Sequence, residues 1–220
     1  MIAKELISDS IPPVKPGETS IQAISWMDEF RVAHLPVVDG SQYIGLISEE
    51  DLYSDNKFEE PVGSQRFSIS KTSVDQYSHI FEVFRIFAEH KLSLLPVVDQ
   101  RNHYLGVITL EDLVMKFVSA SSIQNPGAVI VLERSYKDFS ISEIAQIVES
   151  NDATILSMFI TSVPQSTLME ISMKVSRMDP GPILQTFNRY NYTIKATYSE
   201  GAYHDDLKDR YDQLMTYLNI

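Results

Sequence analysis

The 220-residue sequence predicts a mixed α/β (α+β) protein. Two copies of one αβ unit pack about a pseudo-twofold axis and are followed by a smaller βαββαβ sandwich. Three observations carry this reading. The stretch His34–Asp39 (HLPVVD) returns sixty residues later as Leu94–Asp99 (LLPVVD). Tyr43–Leu52 (YIGLISEEDL) returns as Tyr104–Leu113 (YLGVITLEDL) at an offset of sixty-one. After Asn125-Pro126-Gly127, strand-like and helix-like periods alternate without any further repeat.

Each copy reads in the same order. An amphipathic helix comes first, carrying Ile21, Ile24, Met27 and Phe30 in copy one and Ile80, Val83, Phe84 and Phe87 in copy two. Thr19 and Gln22 have the spacing of a capping box for the first of these helices, and Trp26 falls inside it as a core residue. Two short apolar strands follow, Leu35–Val38 and Tyr43–Ile47, joined by a tight turn through Asp39-Gly40. The one-residue change of offset falls in this turn, where an insertion costs least. A second helix opens at Ser48 in copy one and at Thr109 in copy two. A unit of about 45 residues buries too little surface to stand alone, so the copies pack on each other and leave two related clefts.

In the third unit, Ala128–Arg134 is a strand, and Ser140-Ile141-Ser142-Glu143 is a capping box opening a helix. The strands 154–163 and 168–176 form a hairpin, with Met169, Ile171, Met173 and Val175 on one buried face. Asp179-Pro180 caps a helix to about Tyr190, and Tyr192–Tyr198 is the last strand. This order is that of a ferredoxin-like sandwich. The domain boundaries expected are 1–124 for the repeat pair (copies 1–57 and 58–124) and 128–198 for the sandwich. Residues 199–220 read as an amphipathic helix with Leu207, Tyr211, Leu214, Met215 and Leu218 on one face.

The twice-present leucine-proline-valine-valine-aspartate strand and Gly-x-x-Ser/Thr-x-x-Asp turn resemble a tandem pair of cystathionine-β-synthase (CBS) domains. The unit after them resembles an ACT domain, and the whole order is similar to bacterial acetoin-utilization-type CBS–ACT proteins. The resemblance implies a non-catalytic regulatory protein whose clefts bind an adenosine-containing ligand such as AMP, ADP, ATP or S-adenosylmethionine. It further implies that Asp51 and Asp112 accept hydrogen bonds from ribose, that Ser48 and Thr109 touch phosphate, and that Val14 and Val74 lie near adenine. Amino-acid-binding ACT domains usually carry a glycine-rich turn after the first strand. Ser135–Phe139 has no glycine, which favours an assembly role and a homodimer.

Composition bounds the rest. The net charge is −12, and no basic stripe exists to displace counterions from nucleic acid. The longest apolar run, Ala128–Leu132, is far short of a membrane span, and cysteine is absent, which suits the cytoplasm. No secretory leader is visible at Met1–Leu6. The five histidines make no His-x-x-x-His pair, and no P-loop or nucleophile elbow occurs, so neither metal nor catalysis is expected. Ser48-x-x-Asp51 and Thr109-x-x-Asp112 also read as simple helix caps. Glu49 and Glu50 in copy one and Glu111 in copy two repel phosphate, which favours ligands with little negative charge. The alternative is a ligand-free interaction scaffold with an unidentified protein partner.

Overall fold

The computed structural model describes residues 1–8, 10–54, 58–65, 67, 71–162 and 166–199. The chain divides into two units, Met1–Phe117 and Val118–Ile220, each with its own hydrophobic core.

The first unit contains α1 (Ser20–Phe30), β1 (His34–Asp39), β2 (Gln42–Ser48) and α2 (Glu49–Ser54), then β3 (Val74–Asp75), α3 (Ile80–His90), β4 (Leu94–Val98), β5 (Tyr104–Thr109) and α4 (Leu110–Ala120). The repeat extends to fine detail. Both α1 and α3 stop at a basic residue in the left-handed conformation, Arg31 at φ 55° and Lys91 at φ 51°. The turn each makes sends Val32 N–H to the Met27 carbonyl and Leu92 N–H to the Phe87 carbonyl. Both hairpins carry a bulge at the same place, Val37/Val38 and Val97/Val98. All five residues of β4, and all of β1 except Asp39, are buried, so neither strand shows the alternation of a half-solvated sheet. One core joins Leu35, Val37, Leu46 and Ile47 to Leu95, Val97, Val107 and Ile108.

The hairpin tips pair across the copies. Tyr43 N–H donates to the Asn102 carbonyl, Tyr104 N–H to the Ser41 carbonyl, and Asn102 Nδ2 to the Tyr43 carbonyl. The start of the chain then crosses between copies. Ala3 and Lys4 N–H donate to Ser78 and Gln76 carbonyls, Ser8 N–H donates to the Val107 carbonyl, and Val14 exchanges bonds with Pro36 and Val38.

One expectation fails locally. Thr19 is the residue before α1, but its side chain makes no capping bond. Residues after α2 do that work instead, with Ser20 N–H bound by the Glu60 carbonyl and Ile21 N–H by the Phe58 carbonyl.

The second unit runs β6 (Ala128–Ser135), α5 (Ile141–Glu149), β7 (Ile155–Ser162), β8 (Leu168–Val175), α6 (Gly181–Arg189) and β9 (Thr193–Tyr198). Its sheet order is β7-β8-β6-β9 with every pair antiparallel, the ferredoxin-like topology. Strand β8 alternates as expected, with Met169, Ile171, Met173 and Val175 buried against Ile144, Ile147, Ile183 and Phe187. Ser140 accepts the Glu143 N–H, but the Glu143 carboxylate does not return the bond; it accepts from the Tyr192 hydroxyl at 2.5 Å. The expected tail helix lies, from residue 200 on, outside the described residues.

Gly106, in β5, sits at φ 146°, and a Cβ there would lie 2.5 Å from Ile7 Cγ2. Gly106→Ala therefore strains the backbone and lifts the N-terminal segment from β5, and it should cost about 2 kcal/mol in a urea titration.

Candidate functional site

The two motif sequences form the same local turn with different hydrogen bonding. In copy one, Ser48 N–H donates to Asp51 Oδ2 at 3.0 Å and Asp51 N–H donates to Ser48 Oγ at 3.1 Å, a reciprocal capping box. In copy two, Asp112 N–H donates to Thr109 Oγ1 at 3.0 Å, and that hydroxyl donates on to Asp112 Oδ2 at 2.7 Å. Asp112 Oδ1 accepts no hydrogen bond among the described residues. Ser48 is 7% exposed, whereas Thr109 and Asp112 are half-buried.

Copy two holds an open cleft of about 510 Å³. Thr109, Glu111 and Asp112 form one wall, from the end of β5 and the first turn of α4. Glu29 and Arg31 come from the end of α1 in the other copy, and Ser93 from the loop before β4. Ser8 and Ser10 come from the segment that crosses between the copies. The site is thus built by both copies together, and the hydroxyls, carboxylates and guanidinium of its described residues suit a polar, hydroxyl-rich molecule. Val14 and Val74 lie elsewhere. They are 1% and 3% exposed, beside Val37 and Val97 respectively, inside the core of the unit.

A short polar link joins the two copies beside the motifs. Ser93 Oγ accepts the Ala33 N–H at 3.0 Å and lies 2.9 Å from His34 Nδ1, which also accepts the Ser93 N–H at 3.2 Å. The Ala33 carbonyl receives the Glu49 N–H and the Ser93 carbonyl receives the Leu110 N–H, so the two residues hold equivalent places before α2 and α4. Because Nδ1 accepts, the proton of neutral His34 is on Nε2. Burial pushes the His34 pKa down, partly offset by the Asp51 carboxylate. Sequence reasoning assigned His34 no role. Its signal was the mismatch with Leu94 inside an otherwise matching strand.

A second cavity of about 260 Å³ is lined by Gln76, Asp99, Arg101 and His103. There the His103 backbone N–H, followed by its ring, holds the Asp99 carboxyl below its ordinary range. Arg101 and His103 are thereby placed away from the Thr109–Asp112 cleft. Among the described residues no cluster of histidine and carboxylate side chains has the make-up of a metal site, and no helix is long and apolar enough to cross a membrane. His204 lies outside the described residues.

Comparison with known proteins agrees with the duplicated architecture. The CBS domain family model matches residues 3–55 and 69–119. The CBS domain-containing protein YhcV of Bacillus subtilis is 26% identical over 124 residues, covering 54% of this chain and 87% of that protein. Inosine-5′-monophosphate dehydrogenase of Methanocaldococcus jannaschii is 26% identical over 118 residues, covering 52% of this chain; the match spans only 23% of the length of that enzyme. Among solved structures, a CBS domain pair/ACT domain protein of Thermotoga maritima is 24% identical, with a TM-score of 0.50, over 55% of this chain and 98% of that one.

His34 gives the pH prediction. Its folded-state pKa lies below the ordinary value of 6.5, so as pH falls the unfolded chain takes the proton first. The stability that neutral His34 contributes is complete above about pH 6.5 and is lost as pH falls toward the folded-state pKa. Urea titrations between pH 7.5 and about 5 should show wild type losing stability more steeply than His34→Leu, the copy-two residue type. Equal slopes would contradict the assignment.

Proposed function

We propose, from the premise that residues 3–55 and 69–119 form a CBS domain pair, that the chain is a non-catalytic regulator. Its Thr109–Asp112 cleft binds an adenosine-containing ligand. The observation that carries this reading is Asp112 Oδ1, half-buried in a 510 Å³ cleft without a partner among the described residues. Asp112 supplies the ribose acceptor. Thr109 fixes its other oxygen. Ser48 and Asp51 form the equivalent site in copy one, where the reciprocal cap already engages both. Binding favours whichever arrangement of the two copies closes Glu29 and Arg31 onto α4, since a ligand shifts an equilibrium only through differential affinity.

We assign residues 1–124 to this sensor and 128–198 to an ACT-type domain that assembles a cytoplasmic homodimer. The support for assembly is the sheet of the second unit. Its helices cover one face, while Phe159 on β7, opposite Ser172 on the other face, is 49% exposed. Val129, Phe159 and Met173 line an apolar cavity of about 170 Å³ on this unit. A bacterial origin and an acetoin-utilization context follow from the resemblance in domain order.

Thermal unfolding against adenosine, AMP, ADP, ATP and S-adenosylmethionine tests the sensor. A ligand at a hundred times its dissociation constant adds about 2.7 kcal/mol. The shift should vanish in Asp112→Ala, while the loss of the cap costs the apo protein only about 1 kcal/mol. No shift with any compound favours the scaffold reading. Light scattering should show a dimer that Phe159→Glu dissociates; a wild-type monomer would overturn the assembly role.

A further inference from the structure

The charges around the cleft run opposite to those of a polyphosphate site. Among the described residues that line it, Glu29, Glu111 and Asp112 contribute three carboxylates and Arg31 the one guanidinium, and the others are hydroxyl-bearing or apolar. Two features place these charges in the fold. Arg31 ends α1 in the left-handed conformation, which sets both it and Glu29 at the cleft across from α4. Glu111 lies in the first turn of α4, two residues after the threonine of the motif. The copy-one turn repeats the bias, with Glu49 and Glu50 between Ser48 and Asp51.

We propose that Glu29, Arg31 and Glu111 make this cleft selective against phosphate. It takes an adenosine-type nucleoside whose 5′ substituent is zwitterionic or cationic. The inference rests on the adenosine reading of the same cleft. One guanidinium matches one carboxylate of an amino-acid tail, and the glutamates match its ammonium and any sulfonium charge. A triphosphate instead meets a net excess of two negative charges, which Arg31 cannot neutralise alone. Because Glu29, Arg31 and Glu111 are exposed, this discrimination is screened by salt.

Isothermal titration of the full chain in magnesium-free buffer tests this. The probes are adenosine, ATP, S-adenosylhomocysteine and S-adenosylmethionine, each at low and high salt. At low salt ATP should bind about tenfold more weakly than adenosine, with the gap narrowing at high salt. The two amino-acid-bearing nucleosides should bind at least as tightly as adenosine. Glu111→Lys should bring ATP up to or above adenosine, a gain that misfolding cannot produce. Arg31→Gln should weaken S-adenosylhomocysteine about tenfold more than it weakens adenosine. If wild type binds ATP as tightly as adenosine, the selectivity is overturned and the adenosine site stands. If ATP is weak but Glu111→Lys leaves it weak, or if Arg31→Gln leaves S-adenosylhomocysteine unchanged, the residue assignment is overturned. If no probe binds wild type, the adenosine reading falls and the selectivity with it.

Discussion

The first unit depends on burying β1 and β4 in one shared core. Each is a run of five or more residues with almost no solvent-facing position, so each needs apolar cover on both faces. One copy supplies too few residues for that, and the second copy supplies the rest. The same constraint explains the paired hairpin tips and the crossing N-terminal segment, which satisfy backbone groups that would otherwise be stranded where the copies meet. It also explains the cleft, whose walls come from α1 of one copy and α4 of the other.

Shared burial leaves the small departures from symmetry to carry specificity. Where copy two has Leu94, copy one has His34; where copy one has Ala33, copy two has Ser93. These two exchanges create the polar link, and Ser93 itself lines the cleft. The third departure is in the cap. The Ser48 backbone N–H donates to an Asp51 oxygen, whereas in copy two it is the Thr109 hydroxyl that donates to an oxygen of Asp112. Two motifs that read alike therefore differ in what they offer a ligand.

Much of the fold was legible because it rests on patterns that sequence displays directly. The repeat, the alternation in β8 and the cap at Ser140 depend on residue type and spacing, and they gave the element order and the topology of both units. What sequence left open depends on long-range geometry. Thr19 has the right neighbours for a capping box, yet Phe58 and Glu60 reach the helix start first. The sequence has Arg31, Lys71, Lys91, Arg101 and His103 as basic side chains that could offset the acidic motifs, and it places none of them. Only the left-handed turn after α1 brings Arg31 to the Thr109–Asp112 cleft, and the hairpin carries Arg101 and His103 to another cavity. Val14 and Val74 hold matching places in the two copies, but both are turned into the core.

The central claim is that the copy-two cleft holds an adenosine-type ligand through Asp112. A crystal structure of the chain grown with saturating adenosine tests it most directly. Electron density for the nucleoside is expected between α1 and α4, with a ribose hydroxyl donating to Asp112 Oδ1. An empty cleft at saturation, or adenosine bound with its ribose turned away from Asp112, would contradict it.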